Sequence, residues 1–134
     1  MKKLIMVMII FSGCVFFHSG NISADIALPM MPLETSVTGV ASYYSYECAD
    51  LPMANGKPFD PEQRTCASWF YKFGTVLIVK SLDTGRSTEV TVTDRGPNKR
   101  LVKEGRIIDL SKRAFEDISS LRQGLTKVKV TVKK

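Results

Sequence analysis

The most chemically suggestive stretch of this sequence is STEVTVTDRGP, Ser87 to Pro97. An alternating, strand-like run delivers Asp94 straight into Arg95-Gly96-Pro97, where no regular ladder can continue. A carboxylate at that point either stands free as a proton carrier or closes an Asx turn by accepting backbone N–H groups, and on pattern alone the turn is the simpler reading. Arg95 beside it suits either orientation of the acid, recognition of a carboxylate, or a structural ion pair. Asp109 lies within the apolar run Ile107 to Leu110, where an acid is unexpected, so it is expected to bond to loop backbone as structural support. Tyr43, Tyr44, Tyr46, Trp69, Phe70 and Tyr71 offer rings on which sugar faces stack, although a core needs aromatics too.

Other chemistries are excluded by composition. The only histidine, His18, falls in an N-terminal segment that reads as a cleaved signal: Lys2-Lys3, an apolar run from Leu4 to Phe17, then small residues to Ala24. Without it the mature chain has no Ser-His or Cys-His pair and no histidine-ligated zinc, so no metal and no cofactor are expected. Acid and base work must come from carboxylates, lysines or tyrosines. A competing reading of the same segment is a lipoprotein signal, with FSGC ending at an acylated Cys14 as a lipid anchor.

Loss of residues 1–24 removes Lys2 and Lys3 but no acid, leaving 17 basic against 13 acidic residues, a net charge of +4. That mild bias suits an anionic polymer and lacks the concentrated basic stripe of a nucleic-acid binder. Export also places Cys48 and Cys66 in an oxidising space, where they are expected to form a disulfide, two buried free thiols being the alternative. Such a bridge would stabilise by about 3 kcal/mol and hold the intervening loop to the body.

The elements that must position these groups are short. Residues 25–35 read as a leader, and 36–134 as one domain. Ser36 to Ser45 reads as a strand; Glu47 to Ser68, with Pro52, Asn55-Gly56, Pro58 and Pro61, reads as a loop. Thr75 to Lys80 and Thr88 to Thr93 read as strands joined by a turn at Asp83-Thr84-Gly85. Arg106 to Leu110 is a fifth segment, Ser111 an N-cap for a helix from Lys112 to Leu121, and Thr126 to Lys133 a last half-buried strand. Several short strands, one helix and irregular loops predict a small closed β-barrel.

Four segments, GVASYYS (39–45), ANGKPFD (54–60), TVTDRGP (91–97) and GRIIDLSKRAF (105–115), resemble the rare lipoprotein A (RlpA) family in order and spacing, over Thr38 to Val132. The resemblance implies a mainly β fold, the six-stranded double-psi β-barrel also found in expansins, with one short C-terminal helix. It implies an exported, monomeric envelope protein, a lytic transglycosylase acting on peptidoglycan glycan strands, with Asp94 as the catalytic acid and base. Tyr44, Asn55, Lys57, Ser68, Trp69 and Arg95 are the residues expected to meet substrate. Since the sequence closes at Lys134, just past the last strand, the separate peptidoglycan-binding repeat domain of some relatives is not expected.

The match fails in one half of the site. Where the family pattern reads Thr-Ala-Asn-Gly-Glu, this chain has Met53, Ala54, Asn55, Gly56 and Lys57, and where the family usually has His it has Ser68. An ammonium in the glutamate's place would favour ionised Asp94 and oppose positive charge on a sugar ring. Three resolutions stand open: a single-aspartate mechanism, recruitment of Asp60 or Glu62 from the same loop, or a Lys57 that turns outward. A glycan-binding barrel that does not cut is the alternative function.

Overall fold

The computed structural model describes residues 36–134; the predicted signal, the leader and Cys14 lie outside the described residues. Six strands close into a barrel: β1 (Ser36–Tyr43), β2 (Thr65–Ala67), β3 (Val76–Ser81), β4 (Ser87–Asp94), β5 (Arg106–Leu110) and β6 (Thr126–Val132). Their order around the barrel is β1-β5-β2-β4-β3-β6. Two pairings, β1 with β5 and β2 with β4, are parallel, and the other four are antiparallel. Closure removes every sheet edge, which is how so small a β domain avoids open ladders.

Alternation determines which side chains fill the interior. Leu77 and Val79 on β3, Val90 and Val92 on β4, Ile108 and Leu110 on β5, and Val128 and Val130 on β6 are all buried, while Ile78, Thr91 and Lys129 between them are more exposed. Helix α2 (Lys112–Ile118) closes one side with Ala114, Phe115 and Ile118, and Ser111 caps it by accepting from the Ala114 N–H at 3.3 Å. The Phe115 ring meets Tyr43 at 4.9 Å between centroids. The turn between β3 and β4 is held by Ser81 Oγ, which accepts from Asp83 and Thr84 N–H, and by Thr84 Oγ1, which donates to the Ile118 carbonyl at 2.6 Å.

Two elements differ from the sequence expectation. The stretch read as an uninterrupted loop contains β2, three buried residues that pair with both β4 and β5. After Pro97 a short helix, α1 (Lys99–Lys103), forms with Asn98 as its cap. Two further single turns of 3-10 helix, Tyr46–Cys48 and Leu121–Gln123, complete the domain, the second in place of the helix end expected at Leu121.

The expected disulfide is a correction: Cys48 and Cys66 are both free. Cys66 is drawn into the barrel core as part of β2, buried among the apolar strand residues, whereas Cys48 sits half-exposed in the first 3-10 turn. The loop they were expected to tie is fastened by main-chain bonds instead: Asp50 N–H to the Phe59 carbonyl, Phe59 N–H to Leu51, and Met53 N–H to Lys57, at 2.8–2.9 Å. Phe59, 5% exposed, plugs the loop onto the Tyr44 ring.

Candidate active site

Asp94 is the last residue of β4, and its backbone is fixed by the strand that sequence reasoning missed. Ala67 of β2 pairs with Asp94 after a register shift, and the Ser68 N–H donates to the Asp94 carbonyl at 3.1 Å. The side chain is then oriented by two main-chain donors. Ala54 N–H and Arg95 N–H both reach Oδ1 at 2.8 Å. Among the described residues Oδ2 has one hydrogen-bonding partner, the Tyr44 hydroxyl at 3.5 Å, a distance too long for a strong bond. Asp94 therefore combines both readings of the sequence: one oxygen serves the backbone, the other is available.

The ANG turn explains why Ala54 can donate. Met53 N–H bonds to the Lys57 carbonyl, Gly56 adopts φ of 84°, and Asn55 Oδ1 accepts from the Lys57 N–H at 3.0 Å. The turn is pinned to β4 by the Asn55 N–H to the Thr93 carbonyl at 3.2 Å, and the Thr93 hydroxyl contacts Met53 Sδ. The Asn55 side chain shapes this turn.

Asp94 lines a hollow of about 170 Å³ with Tyr44, Cys48, Leu51, Pro52, Met53 and Phe59. Met53 is shared with a neighbouring groove of about 400 Å³ that contains Asn55, Lys57, Arg64, Thr91 and Thr93. Lys57 lines this adjoining groove and makes no ion pair among the described residues. Asp60 and Glu62 line a third hollow, with Tyr46, where Glu62 accepts from the Tyr46 hydroxyl at 2.6 Å and Asp60 accepts from the Glu62 N–H. Neither carboxylate lines the Asp94 hollow.

The remaining expected site residues divide. Ser68, expected to meet substrate, is fully buried, and its hydroxyl accepts from the Phe70 N–H at 3.2 Å, which holds the loop after β2. Arg95 donates to the carbonyls of Ser68 and Tyr71 at 2.7 and 2.8 Å and stacks on Phe73 at 3.9 Å, which commits its guanidinium to the same loop. Trp69 is 45% exposed, tethered through Nε1 to the Pro97 carbonyl at 2.7 Å, with Lys99 over its ring at 5.3 Å. Phe70 and Phe73 extend this exposed aromatic edge.

Asp109 was expected to bond to loop backbone; its partner is a side chain. Ser42, opposite it on β1, donates its hydroxyl to Oδ1. Burial raises the Asp109 carboxyl above the usual carboxylate range, with the Asp94 charge adding to it, against the pull of Ser42 and Arg106. Burial also pushes the Tyr44 hydroxyl well up, reinforced by the charges of Asp94 and Asp109, so Tyr44 remains a donor. Gly96 is required by closeness: a Cβ there would lie 3.1 Å from the Tyr44 hydroxyl, 3.2 Å from Ala67 Cβ and 3.3 Å from Asp109 Oδ2. Among the described residues no three His, Cys, Asp or Glu side chains converge as a metal-binding group.

Comparison with known proteins agrees with this architecture. Residues 36–130 match a family described as lytic transglycolase. A probable endolytic peptidoglycan transglycosylase RlpA of Nostoc sp. is 36% identical over 102 residues, 75% of this chain and 26% of that protein. The chain spans about a quarter of the length of the curated relatives it matches, 26% and 28% for the Nostoc and Treponema pallidum proteins. Among solved structures, a Streptomyces papain inhibitor superposes with a TM-score of 0.59 at 24% identity, covering 77% of this chain and 98% of that one. A Clavibacter michiganensis expansin, solved with cellohexaose, superposes with a TM-score of 0.57 at 18% identity, covering 74% and 50%. The closed six-stranded barrel is the expected double-psi fold.

Proposed function

This chain belongs to the lytic transglycolase family and is an RlpA relative, and from that premise we propose that it is an exported envelope enzyme that cleaves peptidoglycan glycan strands. The bond is that from N-acetylmuramic acid to N-acetylglucosamine, on strands poor in stem peptides, and the product carries a 1,6-anhydro end. The observation that carries the reading is the asymmetry of Asp94, a residue of the hollow, with Oδ1 bound by two main-chain N–H groups and Oδ2 left with the distant Tyr44 hydroxyl alone among the described residues.

Each step can be assigned to that oxygen. Protonated Asp94 gives its proton to the bridging glycosidic oxygen, and the bond from C1 to that oxygen breaks as positive charge develops on the ring. The carboxylate left behind stabilises that charge, then takes the proton of the C6 hydroxyl as O6 bonds to C1. The proton count of the enzyme is unchanged and water is not consumed. Leu51, Pro52, Met53 and Phe59 give the hollow apolar walls, which favours the internal hydroxyl over competing water. One carboxyl is sufficient for this sequence of steps, so Lys57 in the neighbouring groove is compatible with it. Asn55, Lys57 and Trp69 act as outer contacts to the strand, the protein working as a monomer. Cys14 offers a lipid anchor if the signal is of the lipoprotein type.

The second reading is a barrel that binds glycan without cutting, favoured by Lys57 in the position of the family glutamate. Digestion of peptide-free glycan strands followed by mass spectrometry separates the two. Anhydro-muramic ends support the enzyme, and retention of strands without such ends supports the binding protein.

A further inference from the structure

Trp69 is the only tryptophan of the chain and stands well exposed, yet it is firmly held. Its Nε1–H donates to the Pro97 carbonyl at 2.7 Å, which fixes the indole. The loop that carries it is fastened from within: Arg95 donates to the carbonyls of Ser68 and Tyr71, and the Phe70 N–H donates to the Ser68 hydroxyl. The same loop is tied to the candidate acid, because the Ser68 N–H donates to the Asp94 carbonyl at 3.1 Å. Phe70 and Phe73 are exposed on it as well, and three such rings within five residues are more than the scattered apolar side chains of an ordinary surface.

The charge beside the ring is equally one-sided. Lys99, the first residue of α1, holds its Nζ 5.3 Å from the Trp69 ring centroid. It is exposed and makes no ion pair among the described residues. Segments 68–73 and 95–103, which meet at this ring, contain Lys72, Arg95, Lys99, Arg100 and Lys103 and no Asp or Glu. A fixed ring beside an unpaired ammonium suits a ligand that has both an apolar face and an anionic arm.

We propose, resting on the reading of this chain as a protein of glycan strands, that Trp69 and Lys99 form a subsite for a muramic acid unit whose lactyl carboxylate is free. The C–H face of the pyranose covers the indole, and the carboxylate meets the Lys99 ammonium. Where a stem peptide is attached, that carboxyl is an amide, which carries no charge for Lys99 and brings a peptide to be accommodated. The pair therefore selects peptide-poor strands at the binding step, whatever the role of Asp94. A neutral N-acetylglucosamine polymer satisfies the ring alone. Lipid surfaces also attract rings flanked by lysines, but the bond from Ser68 to the Asp94 backbone favours the saccharide.

Because the chain has one tryptophan, its emission reports on this subsite directly. The test titrates the native protein, and Asp94→Asn to prevent cutting, with four probes: peptide-free strands, the same strands with their carboxyls converted to methylamides, N-acetylglucosamine hexamer, and phosphatidylglycerol vesicles. Peptide-free strands are expected to change the Trp69 emission and to bind about fivefold more tightly than the amidated ones, the range of one exposed ion pair. That advantage is expected to shrink at about 1 M salt, to vanish in Lys99→Gln and to return in Lys99→Arg. Trp69→Ala, followed by calorimetry, is expected to weaken both kinds of strand. Equal affinity for free and amidated strands, or an advantage that survives Lys99→Gln, would overturn the proposal, as would emission that answers to vesicles and not to strands. Strand cleavage with unmoved emission removes the subsite and leaves the enzyme. The expected binding pattern without cleavage removes the enzyme and leaves the subsite.

Discussion

The hydroxyl of Tyr44 lies 3.5 Å from Oδ2 of Asp94, on the side of the carboxylate that the main chain leaves unbound. Tyr44→Phe removes that hydroxyl while keeping the ring edge-on to Phe59, whose centroid is 5.5 Å away. At that distance the bond is a weak one, contributing about 0.5–1.5 kcal/mol, so strand cleavage is expected to fall by roughly 2- to 10-fold. Initial rates and thermal melts of the two proteins check this, the melt being expected to change little. An unaltered rate would remove Tyr44 from the account.

The carboxyl groups make opposite contributions to stability as pH changes. Asp109 is raised, chiefly by burial, so the stability it lends is complete below the unfolded value of about 3.9 and is lost as pH rises through its higher folded value. Asp117 is lowered, chiefly by the Arg64 hydrogen bond at 2.6 Å, so its contribution is present above that unfolded value and is lost as pH falls through its folded one. Urea unfolding should therefore find Asp109→Asn more stable than the native protein at pH 7 by a margin that disappears near pH 3. Arg64→Ala should be less stable at pH 7 and converge with the native protein in strong acid.

The two thiols should react at different rates. Cys66 is 2% exposed and its thiol is pushed up to about 12 by burial, so the reactive thiolate is scarce there. Alkylation followed by peptide mapping is expected to mark Cys48 quickly and Cys66 only on unfolding. Recovery of a Cys48–Cys66 crosslinked peptide from unreduced protein would contradict the free thiols.

Gly39 and Gly96 are both matters of space. A Cβ at Gly39 would meet Ile107 Cγ2 at 2.6 Å and the Gly105 carbonyl at 2.8 Å, the latter being backbone that yields little. Gly39→Ala is expected to destabilise by about 1–3 kcal/mol in chemical denaturation. Gly96→Ala meets looser contacts, nearest 3.1 Å, but they are the Tyr44 hydroxyl and Asp109. Its effect should appear in cleavage rate more than in stability.

Much of this fold was legible because alternation is a strong signal in a closed barrel. Val128, Val130 and Val132 announced β6, Ser111 announced its helix, and Asp83 with Gly85 announced the turn before β4. β2 was hidden because three residues are too few to alternate and its neighbours Pro58 and Pro61 read as loop; its existence is settled by pairing to β4 and β5, which is non-local. Helix α1 was hidden by its shortness and charge. The site was half legible. Asp94 could be located, but that its Oδ1 is consumed by Ala54 from forty residues away follows only from the folded turn. Ser68 resembled a site position and is buried, and Asp109 resembled a brace for loop backbone and is held by the Ser42 side chain beside Gly96. In each case the spacing along the chain was right and the direction of the side chain was not readable from it.

Mass spectrometry of peptide-free glycan strands digested by the native protein and by Asp94→Asn tests most directly whether the Asp94 carboxyl acts on a saccharide. The predicted result is 1,6-anhydro-muramic ends from the native protein, and their loss in Asp94→Asn, a variant that still folds and still retains the strands. Equal yields of those ends from both proteins, or strands held and left uncut by the native protein, would contradict it.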